Sequence, residues 1–327
     1  MEDSKRTRSD YSDSGLQEVQ RGSQNSQLNK QNPLQSYKMD ASPCGLCLII
    51  NNVKFLPESG LKSRSGSNID CDKLEKRFKS LNFIVDVQQN LTHEQIIQQL
   101  SALSKKDHSK YDCCIAVILS HGCKATKNLI PGAVHGVNGA IVPVEDITSY
   151  LNGEHCPSLQ GKPKLFFIQA CGGDEMDKGY EVPIQEASDR CSRDAVPVSW
   201  SDTLTDKPDK FNAYTTLPVP SDILVSYSTY PGYVSWRDKE TGTWYVETLD
   251  QILAEHAATC DLVTMLTMVN NKVAQNYVKD KQSTTYKQMP FFLSSLRKHL
   301  HFQSSPQGDT PWNIPECFNN TVSSIQD

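Results

Sequence analysis

The sequence predicts an α/β fold, a three-layer α/β/α sandwich around a mostly parallel sheet. Five β-rich apolar runs are spaced between residues 45 and 230, and helix-patterned segments fill gaps between them. Runs without polar alternation suit strands buried on both faces, as parallel sheets require. Strand, helix, strand order then implies right-handed crossovers.

The first run is GLCLIINNV (45–53). A helix follows through Ser80, with Asn68 or Asp70 as its expected cap and Leu74 and Phe78 four apart on one face. FIVDVQQ (83–89) is the second strand, and Thr92-His93-Glu94-Gln95 opens a helix through Leu103 as a capping box. DCCIAVILSH (112–121), KPKLFFIQA (162–170) and DILVSYSTY (222–230) complete the strands. WRDKETGTWYVE (236–247) reads as a hairpin, and 247–278 as two helices broken near Cys260-Asp261.

At 327 residues the chain has room for two average domains or one large one. Hydrophobic residues at 37%, charged residues at 22% and a mean hydropathy of −0.50 indicate one core diluted by polar segments. Residues 1–40 hold 16 serines, glutamines and asparagines, too little apolar surface to offset the entropy of ordering, so they are expected to be disordered. The same is expected of 303–327, with three prolines and no periodicity. A polar stretch at 174–220 interrupts the middle, and loops of that length in a compact domain are functional or disordered.

A net charge of −5 provides no basic field for nucleic acid or acidic lipid. Apolar runs are too short to span a membrane, and the start, MEDSKRTRSDYS, lacks the apolar segment of a signal peptide. A cytoplasmic protein is expected. Its 11 cysteines, several inside apolar runs such as Cys113-Cys114, then read as reduced and buried. Cys44-x-x-Cys47 leads into a strand, whereas thioredoxin-type pairs follow a strand and open a helix, so it reads as packing.

Two runs end at chemistry-bearing residues. Gln169-Ala170-Cys171-Gly172-Gly173 follows one strand, and Ser120-His121-Gly122 follows another 50 residues upstream. In such sheets the site lies beyond the carboxyl ends of the strands. A thiol with pKa of about 8.5 benefits from a histidine that takes its proton, and glycines let a substrate backbone approach. The amides of Gly122 and Cys171 are candidate donors to a developing oxyanion.

That pentapeptide with a histidine about fifty residues upstream is a caspase signature, and the chain resembles that family over 41–302. SRSGSNIDC (63–71), SHGC (120–123), KPKLFFIQACGG (162–173), SYSTYPGYVSWRD (226–238) and GTWYVETL (242–249) carry the resemblance in order. The resemblance leans toward the apoptosome-activated initiator branch. It implies a six-stranded sheet, a large subunit at 41–194, a linker at 195–212 and a small subunit at 213–302. It makes Cys171 the nucleophile, His121 the base, and Gly122 and Cys171 the oxyanion hole. Cleavage after aspartate is implied, with Arg64, Gln169 and Arg237 around the substrate carboxylate. Guanidinium forks suit a carboxylate because they bind it bidentately. Ser235 and Trp236 would clamp and wall an added peptide strand.

The family matures by self-cleavage in the linker. Asp194 precedes Ala195-Val196-Pro197-Val198, so a cut there would create an amino terminus similar to the tetrapeptide captured by inhibitor-of-apoptosis proteins. At the second family cut Asn212 stands where aspartate is expected, and Asp209 in DKPD is the substitute. Met289–Ser294 aligns with the dimer-interface strand, implying a homodimer. Effector procaspases are the implied substrates, and an apoptosome scaffold is a partner only of a form with a recruitment domain. Such a domain needs about 90 residues, and only the 40 residues expected to be disordered stand ahead of the segment that enters the first strand here. The alternative function is therefore a non-catalytic or dominant-negative regulator that competes for caspase partners and inhibitors. No cofactor or resident metal is expected, although His121, Cys123 and Cys171 carry the ligand types of an inhibitory zinc.

Overall fold

The computed structural model describes residues 35–126, 130–181 and 216–303. In chain order the elements are β1 (Gly45–Asn51), α1 (Ser67–Ser80), β2 (Phe83–Gln89), α2 (His93–Ser104) and β3 (Cys113–Leu119). A small sheet follows, β4 (Gly122–Thr126), β5 (Pro131–His135) and β6 (Ile141–Pro143), then α3 (Val144–Ser149) and β7 (Lys164–Gln169). After β8 (Ile223–Tyr227) come β9 (Arg237–Asp238), β10 (Gly242–Thr243), α4 (Trp244–His256) and α5 (Leu262–Gln275). The pair β11 (Val278–Lys279) and β12 (Thr285–Tyr286) precedes the edge strand β13 (Phe291–Ser294).

Six strands form the central sheet in the order β13-β8-β7-β3-β1-β2, parallel except for β13. Every residue of β1, β3, β7 and β8 is buried, which is why those runs read as continuously apolar. Alternation decides which layer each side chain joins. Ile49, Ile115, Val117 and Phe167 pack with Leu74, Phe78, Leu249 and Val269 of α1, α4 and α5. Ile50, Ala116, Ile118 and Phe166 pack with Ile96, Leu100 and Ile147 of α2 and α3. The three-layer sandwich expected from sequence is present, and β7 pairs with β8 in register Lys164↔Ile223, across the expected subunit junction.

Several local expectations are corrected. Neither Asn68 nor Asp70 caps α1, which begins after Gly66 in the left-handed region (φ 88°). Asn68 instead accepts from Asn51 Nδ2 at 2.9 Å, and Asp70 accepts from the Thr243 amide at 2.9 Å. Tertiary partners outbid the local cap at both residues. The capping box at Thr92 and Gln95 is present. The hairpin read over 236–247 shrinks to β9 and β10, because Thr243 accepts from Val246 N and turns Trp244 onward into helix. Residues 35–40 fall inside the segment expected to be disordered, yet Tyr37 and Met39 are buried. Ser36 pairs with His299, and the Tyr37 hydroxyl donates to the buried Asp222 carboxylate at 2.6 Å. Two apolar anchors suffice, which composition averaged over forty residues hides.

The nine described cysteines are free thiols, and Cys44, Cys47, Cys113 and Cys114 are buried. Among the described residues no helix is long and apolar enough to cross a membrane.

Candidate active site

β3 and β7 are neighbours, and their last residues pair as Leu119↔Gln169. Each strand then runs two residues further, one to His121 and the other to Cys171. The shared register therefore delivers imidazole and thiol to one rim, at the carboxyl ends of the strands. The Ser120 amide donates to Gln169 O at 3.2 Å, and Ala170 N to Ser228 Oγ at 3.3 Å, which fixes both turns. Gly122 is pressed onto the nucleophile loop. A Cβ there would lie 2.4 Å from Cys171 O and 2.8 Å from Ala170 Cβ, so only glycine fits.

The His121 ring lies against Phe55 at 4.8 Å between centroids and gives its Nε2 proton to Lys62 O at 2.7 Å. A carbonyl only accepts, so the neutral ring keeps its lone pair on Nδ1. Burial first, and then the Arg64 and Arg237 charges, hold the imidazole below its ordinary pKa, so it is a neutral base at neutral pH. The Cys171 thiol is half-buried and its Sγ accepts from Ser235 N at 3.4 Å.

Arg64 is 1% exposed and anchored by Nη1 to Asn52 O (3.1 Å) and Ser67 Oγ (2.7 Å), at the end of β1. Burial and the neighbouring Arg237 pull its guanidinium down to about 9, still charged at neutral pH. Burial likewise lowers Arg237. Gln169 Nε2 donates to Ser235 Oγ at 2.9 Å, while its Oε1 is buried without a hydrogen-bond partner among the described residues. Trp236 stands beside Trp244 and Tyr286, with its amide on Gln288 Oε1 (2.7 Å) and its indole N–H on Lys287 O (3.2 Å).

The oxyanion donors read from sequence are placed as follows. His135 N donates to His121 O at 2.8 Å, so Gly122↔Val134 is a non-hydrogen-bonded pair and the Gly122 amide faces away from β5. The Cys171 amide has no acceptor among the described residues. The Gly122 amide likewise has no acceptor among the described residues.

Arg64, His121, Gly122, Gln169, Cys171, Ser235, Trp236 and Arg237 thus lie near one another at the carboxyl end of the sheet. Asp194, Asp209 and Ala195, Val196, Pro197 and Val198 lie outside the described residues. Among the described residues no three histidine, cysteine or carboxylate side chains form a metal-ligand group, so His121, Cys123 and Cys171 are not one. Sequence reasoning missed Phe55, the Lys62 carbonyl and Gln288. No local pattern marks them, because each matters only through a partner far along the chain.

Comparison with known proteins identifies the family. The caspase domain model matches residues 44–301. The chain is 49% identical over 275 residues to caspase-9 of Homo sapiens, covering 83% of this chain and 64% of that protein. It therefore spans less than two thirds of that relative's length. It is 39% identical to caspase-3 of Oryctolagus cuniculus and 38% identical to caspase-3 of Mus musculus, each match covering 82% of this chain and 87% of the relative. With the matched model spanning nearly all of the described sheet and its rim, the chain belongs to the caspase family.

Proposed function

We propose that the chain is a cysteine endopeptidase that cleaves after aspartate, of the initiator type that acts in apoptosis. The observation that carries this reading is the placement of Cys171, His121, Arg64 and Arg237 on one sheet rim. The Arg64 and Arg237 guanidiniums receive the aspartate carboxylate, and Ser235 and Trp236 flank the extended peptide. Neutral His121 takes the Cys171 proton as sulfur attacks the peptide carbonyl, and the Gly122 and Cys171 amides donate to the oxyanion. His121 then protonates the leaving amine, which departs as the thioester forms. Water, deprotonated by His121, releases the acid and restores the thiol.

Activation is assigned to dimerisation through 289–294 and cleavage after Asp194, with effector procaspases as substrates. β13 is the outer strand of the sheet, and Met289, Leu293 and Tyr230 expose 42%, 38% and 54% of their surface there. Phe291 and Phe292 are half-buried against opposite core layers, so these other side chains supply the free apolar face. After the cut, Ala195-Val196-Pro197-Val198 is assigned to an inhibitor-of-apoptosis protein, and the setting to the cytoplasm. A fluorogenic aspartyl tetrapeptide in high citrate, which favours association by exclusion from the surface, tests the reading. Turnover that is lost in Cys171→Ala supports it. No turnover by the parent overturns it in favour of a non-catalytic regulator.

A further inference from the structure

One face of α1 is committed to the β9–β10 segment that carries Arg237 and to α4, which follows it. Gly66, Asp70, Lys73 and Arg77 recur at the spacing of a single helical stripe. A Cβ on Gly66 would lie 2.7 Å from Asp238 O, Lys73 Nζ donates to Thr241 O at 3.0 Å, and Arg77 Nε donates to Asp250 Oδ1 at 2.8 Å. Asp70 is the buried member of the stripe, with no exposed surface. Its Oδ1 accepts from Thr243 N at 2.9 Å, and Thr243 pairs in register with Arg237. Its Oδ2 is buried and without a hydrogen-bond partner among the described residues. A Cβ on Gly242 would lie 2.4 Å from Asp70 Oδ1, so this backbone closes directly over the carboxylate.

A buried carboxylate with half of its acceptor capacity unused is costly unless a charge compensates it. The charges at hand are Arg64, six residues earlier in the chain, and Arg237, across the hairpin. Each guanidinium is favoured by Asp70, and each in turn opposes the burial that raises the carboxyl. Arg64 is fully enclosed and anchored by Asn52 and Ser67, whereas Arg237 is only partly buried. Of the two, Arg237 is free to leave if their mutual repulsion is unopposed.

We infer that Asp70 is a positioning residue for the substrate carboxylate, its buried charge holding Arg64 and Arg237 side by side in the free enzyme. This rests on the reading of the two arginines as an aspartate pocket. Two cations and one anion leave a single net positive charge, which one aspartate side chain neutralises. Without Asp70, Arg237 turns to solvent and each binding event must bring it back. The Thr243 amide needs only an oxygen acceptor, which asparagine also supplies, so the charge and the hydrogen bond are separable.

Asp70→Asn, assayed on an aspartyl tetrapeptide, tests this. The expected result is a KM raised about tenfold with kcat within about twofold of the parent, the pattern of lost uniform binding. A KM equal to or below that of the parent, or a fall in kcat alone, overturns the inference. A parent without preference for aspartate would instead overturn the pocket reading, so the two failures are distinct. Should Asp70→Asn not fold, the double variant Asp70→Asn with Arg64→Gln restores the charge balance and is expected to fold. Failure of both to fold overturns the compensating role, because the asparagine keeps the Thr243 bond.

Discussion

His121 donates its Nε2 proton to the Lys62 carbonyl at 2.7 Å, so a main-chain group of the Arg64 loop orients the imidazole. The same loop therefore sets the tautomer of the base and carries a cation of the substrate pocket. The other wall of the ring is Phe55.

This enclosure has a pH signature. Burial is the first cause that lowers His121, so its folded pKa lies below the ordinary value of about 6.5. The neutral base persists further into acid, and kcat/KM falls only as pH drops through the lowered value. Phe55→Ala admits water to the ring and is expected to move the acid limb of the kcat/KM profile upward. A limb that stays in place or moves to lower pH would contradict the assignment.

Gly122→Ala tests how tightly the two strand ends are apposed. The added Cβ would meet Cys171 O at 2.4 Å and must displace the nucleophile loop. A shift of that order is expected to lower kcat by about 100-fold while the melting transition remains cooperative. Activity within a few-fold of the parent would mean that the oxyanion amides and the thiol are not set by this contact.

Tyr37 ties the first described residues to the sheet. Its hydroxyl donates to Asp222, which also holds Arg297 Nε at 2.8 Å, and it accepts from Arg297 N at 2.8 Å. Tyr37→Phe leaves a buried carboxylate short of one donor, at an expected cost of about 1–3 kcal/mol in urea unfolding. A midpoint unchanged from the parent would show that this strap contributes nothing.

The proposed linker cut makes its own prediction. A peptide beginning at Ala195 and reading Ala-Val-Pro-Val is expected to bind an inhibitor-of-apoptosis repeat, because a free amine and a proline-stiffened backbone suit a groove that caps chain ends. Amino-terminal acetylation should abolish that binding in a fluorescence competition. Equal binding by both peptides would remove the motif.

The central strands and the Cys171–His121 rim were legible because their signals are local: unbroken apolar runs, and short motifs placed at strand ends. The small sheet of β4, β5 and β6 was not, since Gly122–Thr126 is irregular, with a register shift between Cys123 and Thr126, and its strands show no alternation. Asp70 was misread as a helix cap for a related reason. An acidic residue in a first turn is the usual sign of capping, and only Thr243, 173 positions away, reveals its other use. Gln288, whose amide fixes both Trp236 N and Ser228 O, lies in a segment that local propensity leaves blank. The ordering of 35–40 was hidden because Tyr37 finds its partners His299 and Arg297 at the far end of the chain.

The most direct test compares two peptides that differ only in aspartate or asparagine before the cleaved bond, at matched concentration in citrate. Arg64 and Arg237 at the thiol rim predict that kcat/KM for aspartate exceeds that for asparagine by at least about 1,000-fold, since a site built for one polar group leaves its charges unmet by the other. Comparable values for the two peptides would contradict a carboxylate pocket beside Cys171.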